Sequence, residues 1–266
     1  MDEKNRALSQ VLGRIEEALK AATYAIAPFL AGTGRIEYKS GRDPVTDADR
    51  IANRTLRDVL QQEGEGWLSE ESVDDLSRLE RERLWVVDPI DGTREFISGI
   101  PEWCISVGFV EAGHAIAGGI CNPTTGEIFL GTLGEGVTVN GTSVCVSGRQ
   151  SLQGAVVLAS RSEVARGEWD SCKDAPFMTR PMGSVAYKLA LVASGRADAT
   201  WTRSPKHEWD IAAGAALVQA AGGFVRNLDG SELRFNCPSP LLPGLVACGP
   251  QLNLNLSSWL RGATGL

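Results

Sequence analysis

A run of four apolar residues, Leu84-Trp85-Val86-Val87, leads straight into Asp88-Pro89-Ile90-Asp91-Gly92-Thr93. A largely β-branched stretch with no polar break reads as a buried strand. Pro89 can neither extend a ladder nor sit inside a helix, so the strand is expected to end near Asp88. Gly92 permits an unusual backbone turn, and a helix is expected from Thr93. Two carboxylates and a hydroxyl thus meet where a strand gives way to a helix. Hard cations such as Mg²⁺ take oxygen ligands in octahedral array, and this turn offers two carboxylates plus the carbonyl between them. A plain surface Asp-Pro turn would read the same way, so the rest of the chain has to decide.

Composition narrows the field. With 266 residues, 43% of them hydrophobic and 22% charged, the chain can bury a sizeable core as one large α/β unit or two intimate lobes. The net charge of −7 with no run of Lys or Arg lacks the footprint of a nucleic-acid binder, so no nucleic-acid partner is expected. A polyanionic small substrate would need cations or a few placed basic residues to neutralise it locally. No segment approaches the roughly 18 apolar residues of a membrane span, and Met1-Asp2-Glu3-Lys4 is no signal peptide. The six cysteines form no CxxC pair and have no zinc spacing, which reads as reduced, mostly buried thiols in a cytoplasmic protein.

In chain order, Leu8, Leu12, Ile15 and Leu19 mark an amphipathic helix over about 5–30. A short strand or hairpin at Arg35 to Lys39 and a polar stretch through residues 40–44 follow. Thr46-Asp47-Ala48-Asp49 opens a second helix, to about Gln62, and the Thr46/Asp49 spacing also approximates a capping box. Residues 64–72 read as a turn, a brief extended piece and an acidic pair, and 74–82 as a short exposed helix. Short runs at 103–110, 114–121, 127–131 and 136–139 suggest an antiparallel meander. From about residue 150 the elements alternate: strands at 155–159, 177–179, 198–201 and 245–248, and helices at 163–172, 183–194, 211–221 and 251–260. The expected organisation is an N-terminal lobe over 1–150 and a C-terminal α/β lobe over 151–266.

Acidic groups recur at four element boundaries: Asp49, Glu70, Asp88 with Asp91, and Asp210. Each has an ordinary explanation, Asp210 for example as a cap of the Ala-rich helix. Together they carry one chemistry, with no Cys or His beside the central turn. His114 and His207 are the only histidines, which leaves a His-based zinc site or a Ser-His-Asp triad little to draw on.

Leu68-Ser69-Glu70-Glu71-Ser72, Val87-Asp88-Pro89-Ile90-Asp91-Gly92-Thr93 and Trp209-Asp210-Ile211-Ala212-Ala213-Gly214 resemble, in order and spacing, the three signatures of the inositol monophosphatase-like phosphatases. The resemblance implies a layered α/β/α/β/α fold. It implies two to three Mg²⁺ ions held by Glu70, Asp88, Asp91, Asp210 and the Ile90 carbonyl, with one ion on the attacking water. It also implies that Thr93 and Asp49 activate that water, with Glu70 in the catalytic set, for in-line displacement at phosphorus. The anion would then meet the N–H groups of Gly92 and Thr93. Family members are often homodimers. Asp-Gly-Thr also occurs in haloacid-dehalogenase-like enzymes, but those place their two aspartates two apart, and here they are three apart with a proline between.

Three features point towards the 3′(2′),5′-bisphosphate nucleotidase branch. They are Arg94-Glu95-Phe96 after Asp-Gly-Thr, Ala159-Ser160-Arg161-Ser162, and Gly183-Ser184 followed by Lys188 and then Arg203. A second phosphate needs cations away from the metals, and Arg161, Lys188 and Arg203 are the candidates. The favoured expectation is hydrolysis of 3′-phosphoadenosine 5′-phosphate to AMP, ahead of inositol 1-phosphate or histidinol phosphate. Glu163 in place of a histidine and Ser98-Gly99-Ile100-Pro101 lean the other way. A catalytically silent scaffold would be expected to have lost a ligand or the water-activating pair, and all of these residues are present.

Overall fold

The computed structural model describes residues 3–30, 35–38 and 44–264; the expected polar stretch at 40–43 and Lys39 lie outside them. The chain opens with helix α1 (Glu3–Ile26), a hairpin of β1 (Ile36–Tyr38) and β2 (Pro44–Thr46), and helix α2 (Asp47–Leu60). Next come β3 (Gly66–Ser69), β4 (Arg83–Asp91) and the short helix α3 (Thr93–Ile97). The meander follows as β5 (Cys104–Glu111), β6 (His114–Asn122), β7 (Glu127–Thr132), β8 (Gly136–Val139) and β9 (Thr142–Val144). The remainder alternates through β10 (Val156–Ser160), α4 (Arg161–Ala165), β11 (Met178–Met182), α5 (Val185–Ala193), β12 (Ala199–Thr202) and β13 (Lys206–His207). It ends with α6 (Glu208–Ala220), β14 (Phe224–Arg226), β15 (Leu241–Leu242), β16 (Leu245–Cys248) and α7 (Asn253–Thr264).

Strands β3 to β9 form one seven-stranded sheet in sequence order, parallel only at β3/β4. A five-stranded sheet has the order β11-β10-β12-β16-β14, with its first three strands parallel. Burial on both faces explains the unbroken apolar run of β4. Trp85 and Val87 face α1 and α2 with Ile15, Leu19 and Leu56, while Leu84 and Val86 face α5 and α6. Each such side chain, fully buried, contributes about 1.5–3 kcal/mol. Leu158, Leu245 and Ala247 of the second sheet close over the same α5/α6 layer, and Trp169, Phe177 and Trp201 pack beneath α7 on its far side. The order is therefore α1/α2, sheet, α5/α6, sheet, α7: the layered α/β/α/β/α sandwich. Close approach of α6 to the first sheet depends on Gly108, where an added Cβ would lie 2.8 Å from the Ala212 Cβ.

Several expectations are corrected. The central strand does not stop at Asp88 but runs through Pro89 to Asp91; the register against β5 shifts between Asp88 and Asp91, so the proline's missing N–H falls in a bulge. The helix expected at 163–172 is a five-residue α4, ended by a left-handed Gly167 (φ +78°) and followed by a single 3₁₀ turn at Asp170–Cys172. The stretch 74–82 carries a 3₁₀ turn (Ser77–Glu80) in which Arg78 is fully buried. Its guanidinium binds Asp74, the side chain of Asn236 and the Cys237 carbonyl, tying in a loop more than 150 residues away. Strands β2, β9, β13, β14 and β15 were not anticipated. Among the described residues no helix is long and apolar enough to cross a membrane, and all six cysteines are free.

Candidate active site

The bulged end of β4, the left-handed turn at Gly92 and the N-termini of α5 and α6 meet at one cavity of about 270 Å³. Gly92 has φ +97°, and a Cβ there would lie 3.1 Å from both the Glu102 carbonyl oxygen and the Trp103 Cβ, so the turn requires glycine. It brings Asp91 and Thr93 to the same corner as Asp88.

Asp88, Asp91 and Asp210 each offer an oxygen, and these oxygens lie within 4.8 Å of one another. In each carboxylate one oxygen is tied down by backbone. The Ile90 N–H donates to Asp88 Oδ1 (3.0 Å), the Ala186 N–H to Asp91 Oδ2 (2.6 Å) and the His207 N–H to Asp210 Oδ2 (3.0 Å). The Ser184 hydroxyl adds a second donor to Asp91 Oδ2 at 2.6 Å. Among the described residues the other oxygen of each aspartate accepts no hydrogen bond, leaving one oriented oxygen per residue for a ligand.

The electrostatics favour a cation at this point. Burial, then repulsion from Glu70, Asp91, Asp210 and Asp49, holds the Asp88 carboxyl well above the usual carboxylate range. Burial followed by Asp91 and Glu70 does the same to Asp210. Asp91 is raised by burial too, against the opposing pull of Ser184, the Ala186 N–H and Lys188. Crowded anions with only oxygen donors, and no thiol or imidazole among them, fit a hard divalent cation. Half-buried Glu70 lines the same cavity, as does Ile90, whose carbonyl accepts from Thr93 Oγ1 at 3.1 Å.

Asp49 holds two positions at once. Its Oδ2 accepts from the Thr46 N–H (2.7 Å) and the Thr46 hydroxyl, completing the capping box of α2. Its Oδ1 lies 3.4 Å from Thr93 Oγ1. The cap and the contact with Thr93 are therefore compatible, because each uses a different oxygen.

On the other wall the sequence-derived cations separate. Arg161 lines the cavity and bridges Glu95 (3.6 Å) and Glu102. Gly183 lines it as well and donates its N–H to Glu102 Oε2 at 2.9 Å. Ser184 caps α5 by accepting from the Tyr187 N–H (2.9 Å). Lys188 is buried, its ammonium donating to the Gly183 and Ser184 carbonyls (3.3 and 2.7 Å), and burial lowers its pKa to about 8. Arg203 is not part of this wall. It lies one strand alternation beyond Trp201, on the α7 side of the sheet, and lines a separate cavity with Phe224, Leu228 and Leu260. Lys206, to which the sequence reading gave no role, lines the main cavity instead, with Arg94. No periodicity marks it; only its place four residues before Asp210, in the turn that feeds α6, could have singled it out.

The family model described as the inositol monophosphatase family matches residues 8–257. An inositol-1-monophosphatase from Rhizobium meliloti is 32% identical over 224 residues, spanning 81% of each chain. A fructose-1,6-bisphosphatase/inositol-1-monophosphatase from Thermotoga maritima is 34% identical over 203 residues, covering 74% of this chain and 77% of that protein. The crystal structure of the extragenic suppressor protein SuhB from Bartonella henselae superposes with a TM-score of 0.83 at 27% identity, over 97% of this chain and all of that one. A metal-dependent phosphatase fold and an oxygen-only acidic corner coincide in this chain, which belongs to the inositol monophosphatase family.

Proposed function

We propose that the chain is a Mg²⁺-dependent phosphomonoesterase acting on a small phosphate ester that carries a second anionic group. 3′-Phosphoadenosine 5′-phosphate, cleaved to AMP and phosphate, is the favoured substrate. The observation that carries this reading is the distribution of charge around one cavity. The acids Glu70, Asp88, Asp91 and Asp210 take one corner, while Arg94, Arg161, Lys188 and Lys206 against Glu95 line the rest. A second anion on the substrate would face that cationic wall while the reacting phosphate lies at the acidic corner.

Glu70, Asp88, Asp91, Asp210 and the Ile90 carbonyl are assigned to two to three Mg²⁺ ions. When bound, such ions supply acidification of water and neutralisation of charge on phosphate oxygens. The protein's own part is proton transfer and positioning. The attacking water passes its proton to Thr93 Oγ1 as that hydroxyl gives its own to Asp49 Oδ1, 3.4 Å away. The new P–O bond forms opposite the leaving oxygen, whose bond to phosphorus breaks with its electron pair; that oxygen takes a proton from solvent water while Asp49 returns its proton to solvent, releasing the alcohol and inorganic phosphate. The N–H groups of Gly92 and Thr93, at the start of α3, are assigned to the equatorial oxygens. Arg161, Gly183, Ser184 and Lys188 shape the wall that receives the leaving group.

Inositol 1-phosphate is the second reading. It is supported by the name of the Rhizobium meliloti relative and by the two glutamates that already occupy Arg161. A phosphate-release panel with Mg²⁺ separates the two, comparing the bisphosphate nucleotide, inositol 1-phosphate, fructose 1,6-bisphosphate and histidinol phosphate. A higher kcat/KM for inositol 1-phosphate than for the nucleotide would reverse the order. Asp91→Asn abolishes turnover on every substrate while the fold persists; activity like wild type in that variant would discredit the metal assignment.

A further inference from the structure

Lys206 stands beside a corner built to collect cations, where an unshared ammonium is repelled by whatever the aspartates bind. Its surroundings resolve that conflict. Glu163, only 1% exposed, sits behind it with its Oε1 3.5 Å from the Lys206 ammonium. That carboxylate is itself fixed by the Thr202 hydroxyl and by Trp169 Nε1 at 3.2 Å. Glu163 does not reach the cavity, whereas Lys206 lines it. Among the described residues the ammonium forms no hydrogen bond, so its N–H groups are open to a ligand. On the cavity side its charge reaches both Asp91 and Asp210, lowering their pKa values against burial.

We infer that Lys206 is a specificity-determining residue that binds the second anionic group of the substrate, and that Glu163 is the positioning residue that holds its ammonium at that wall. An anion placed there would be attracted by the Lys206 ammonium and by the cations that the aspartate corner would hold, which turns an otherwise costly charge into a selective one. This rests on the substrate reading above and deepens it: the discriminating cation is Lys206, at a position where the sequence pointed to Arg203.

The test uses the full chain with Mg²⁺ and three substrates: 3′-phosphoadenosine 5′-phosphate, the matched monoester 3′-AMP, and inositol 1-phosphate. A hydrogen bond to a charged group is worth enough that Lys206→Met is expected to raise KM for the bisphosphate about tenfold or more. The KM for 3′-AMP and for inositol 1-phosphate rises far less, so the ratio of the KM values is the readout that a merely structural role would not move. Lys206→Arg restores part of the preference. Because Lys206→Met leaves Glu163 buried without its cation, Lys206→Met/Glu163→Gln is made alongside, and the pair is expected to match the single variant in selectivity. Glu163→Gln alone lowers the bisphosphate preference with kcat intact. A wild type with no preference for the bisphosphate over 3′-AMP overturns the substrate reading and this inference with it. A wild type that has the preference, and Lys206→Met variants that keep it, overturn the role of the lysine alone.

Discussion

Replacing Asp88 by Asn is expected to make the metal-free protein more stable while destroying its activity. The three aspartate oxygens lie within 4.8 Å of one another. At an effective dielectric constant near 20, two unit charges at that separation repel by about 3 kcal/mol. Protonating an ordinary aspartate at neutral pH costs about 4 kcal/mol, which caps the penalty that charge on Asp88 can impose. Asn keeps the carbonyl oxygen that accepts from the Ile90 N–H, so the bulge survives the change. Relief of about 3 kcal/mol corresponds to roughly 6–12 °C in Tm for a chain of this size. The assay is thermal unfolding in excess chelator, with and without later addition of Mg²⁺. Wild type gains about 2.7 kcal/mol when the ion is present at a hundred times its Kd; Asp88→Asn gains much less. The pH dependence supplies a second arm. The folded-state pKa values of Asp88 and Asp210 are raised, so between the unfolded value near 3.9 and the raised value the native state binds more protons than the unfolded one. Stability therefore falls as pH rises through that window, by up to about 1.4 kcal/mol per pH unit for each group, and the penalty is absent below the unfolded pKa. Asp88→Asn removes one group from that slope. A variant that melts at or below wild type in chelator, with the slope unchanged, refutes the crowded-anion account.

Thr93→Val removes the hydroxyl between the Ile90 carbonyl and Asp49; kcat should fall by roughly 10²–10⁴-fold with KM and Tm little changed, and stopped assays of phosphate release check this. Arg203→Ala, on the α7 side of the second sheet, is expected to leave kcat/KM for bisphosphate and monophosphate substrates within about twofold of wild type; a selective loss on the bisphosphate would return that arginine to the site.

Many of the elements were legible because their signals are local, whereas the layering came from the family resemblance. The apolar run 84–87 reads as buried, and it is, with Leu84 and Val86 in one core and Trp85 and Val87 in the other. The meander was visible in its turn residues, and α1, α2 and α5 in their spacing. Part of what escaped depends on residues remote in sequence. Arg78 looks like a surface charge until Asn236 and Cys237 reach across more than 150 positions to meet it. Gly167 ends α4 after five residues, although the composition of 163–172 suits a helix. Pro89 stays within β4 only because the partner strand shifts register opposite it.

The site shows the same division, and it explains why the motifs were easier to read than the substrate wall. Asp49 and Asp210 sit three residues inside a helix, where a carboxylate caps the backbone whatever else it does. Asp91 takes its backbone donor from α5, nearly a hundred residues later. Asp91 and Asp210 each give one oxygen to a backbone N–H and keep the other for the shared corner, while Asp49 caps α2 with one oxygen and meets Thr93 with the other, so capping does not exclude a second role for an acid. Cations have no comparable local duty. Arg161, Lys188, Arg203 and Lys206 are long side chains whose direction is set by strand alternation and by which acid lies within reach. Near the end of β12 the alternation turns Arg203 away to the α7 side, while Lys206, three residues on in β13, comes to the cavity wall. The turn between β12 and α6 therefore decides which of these cations reaches the cavity, at a place where residue identity alone says least about direction.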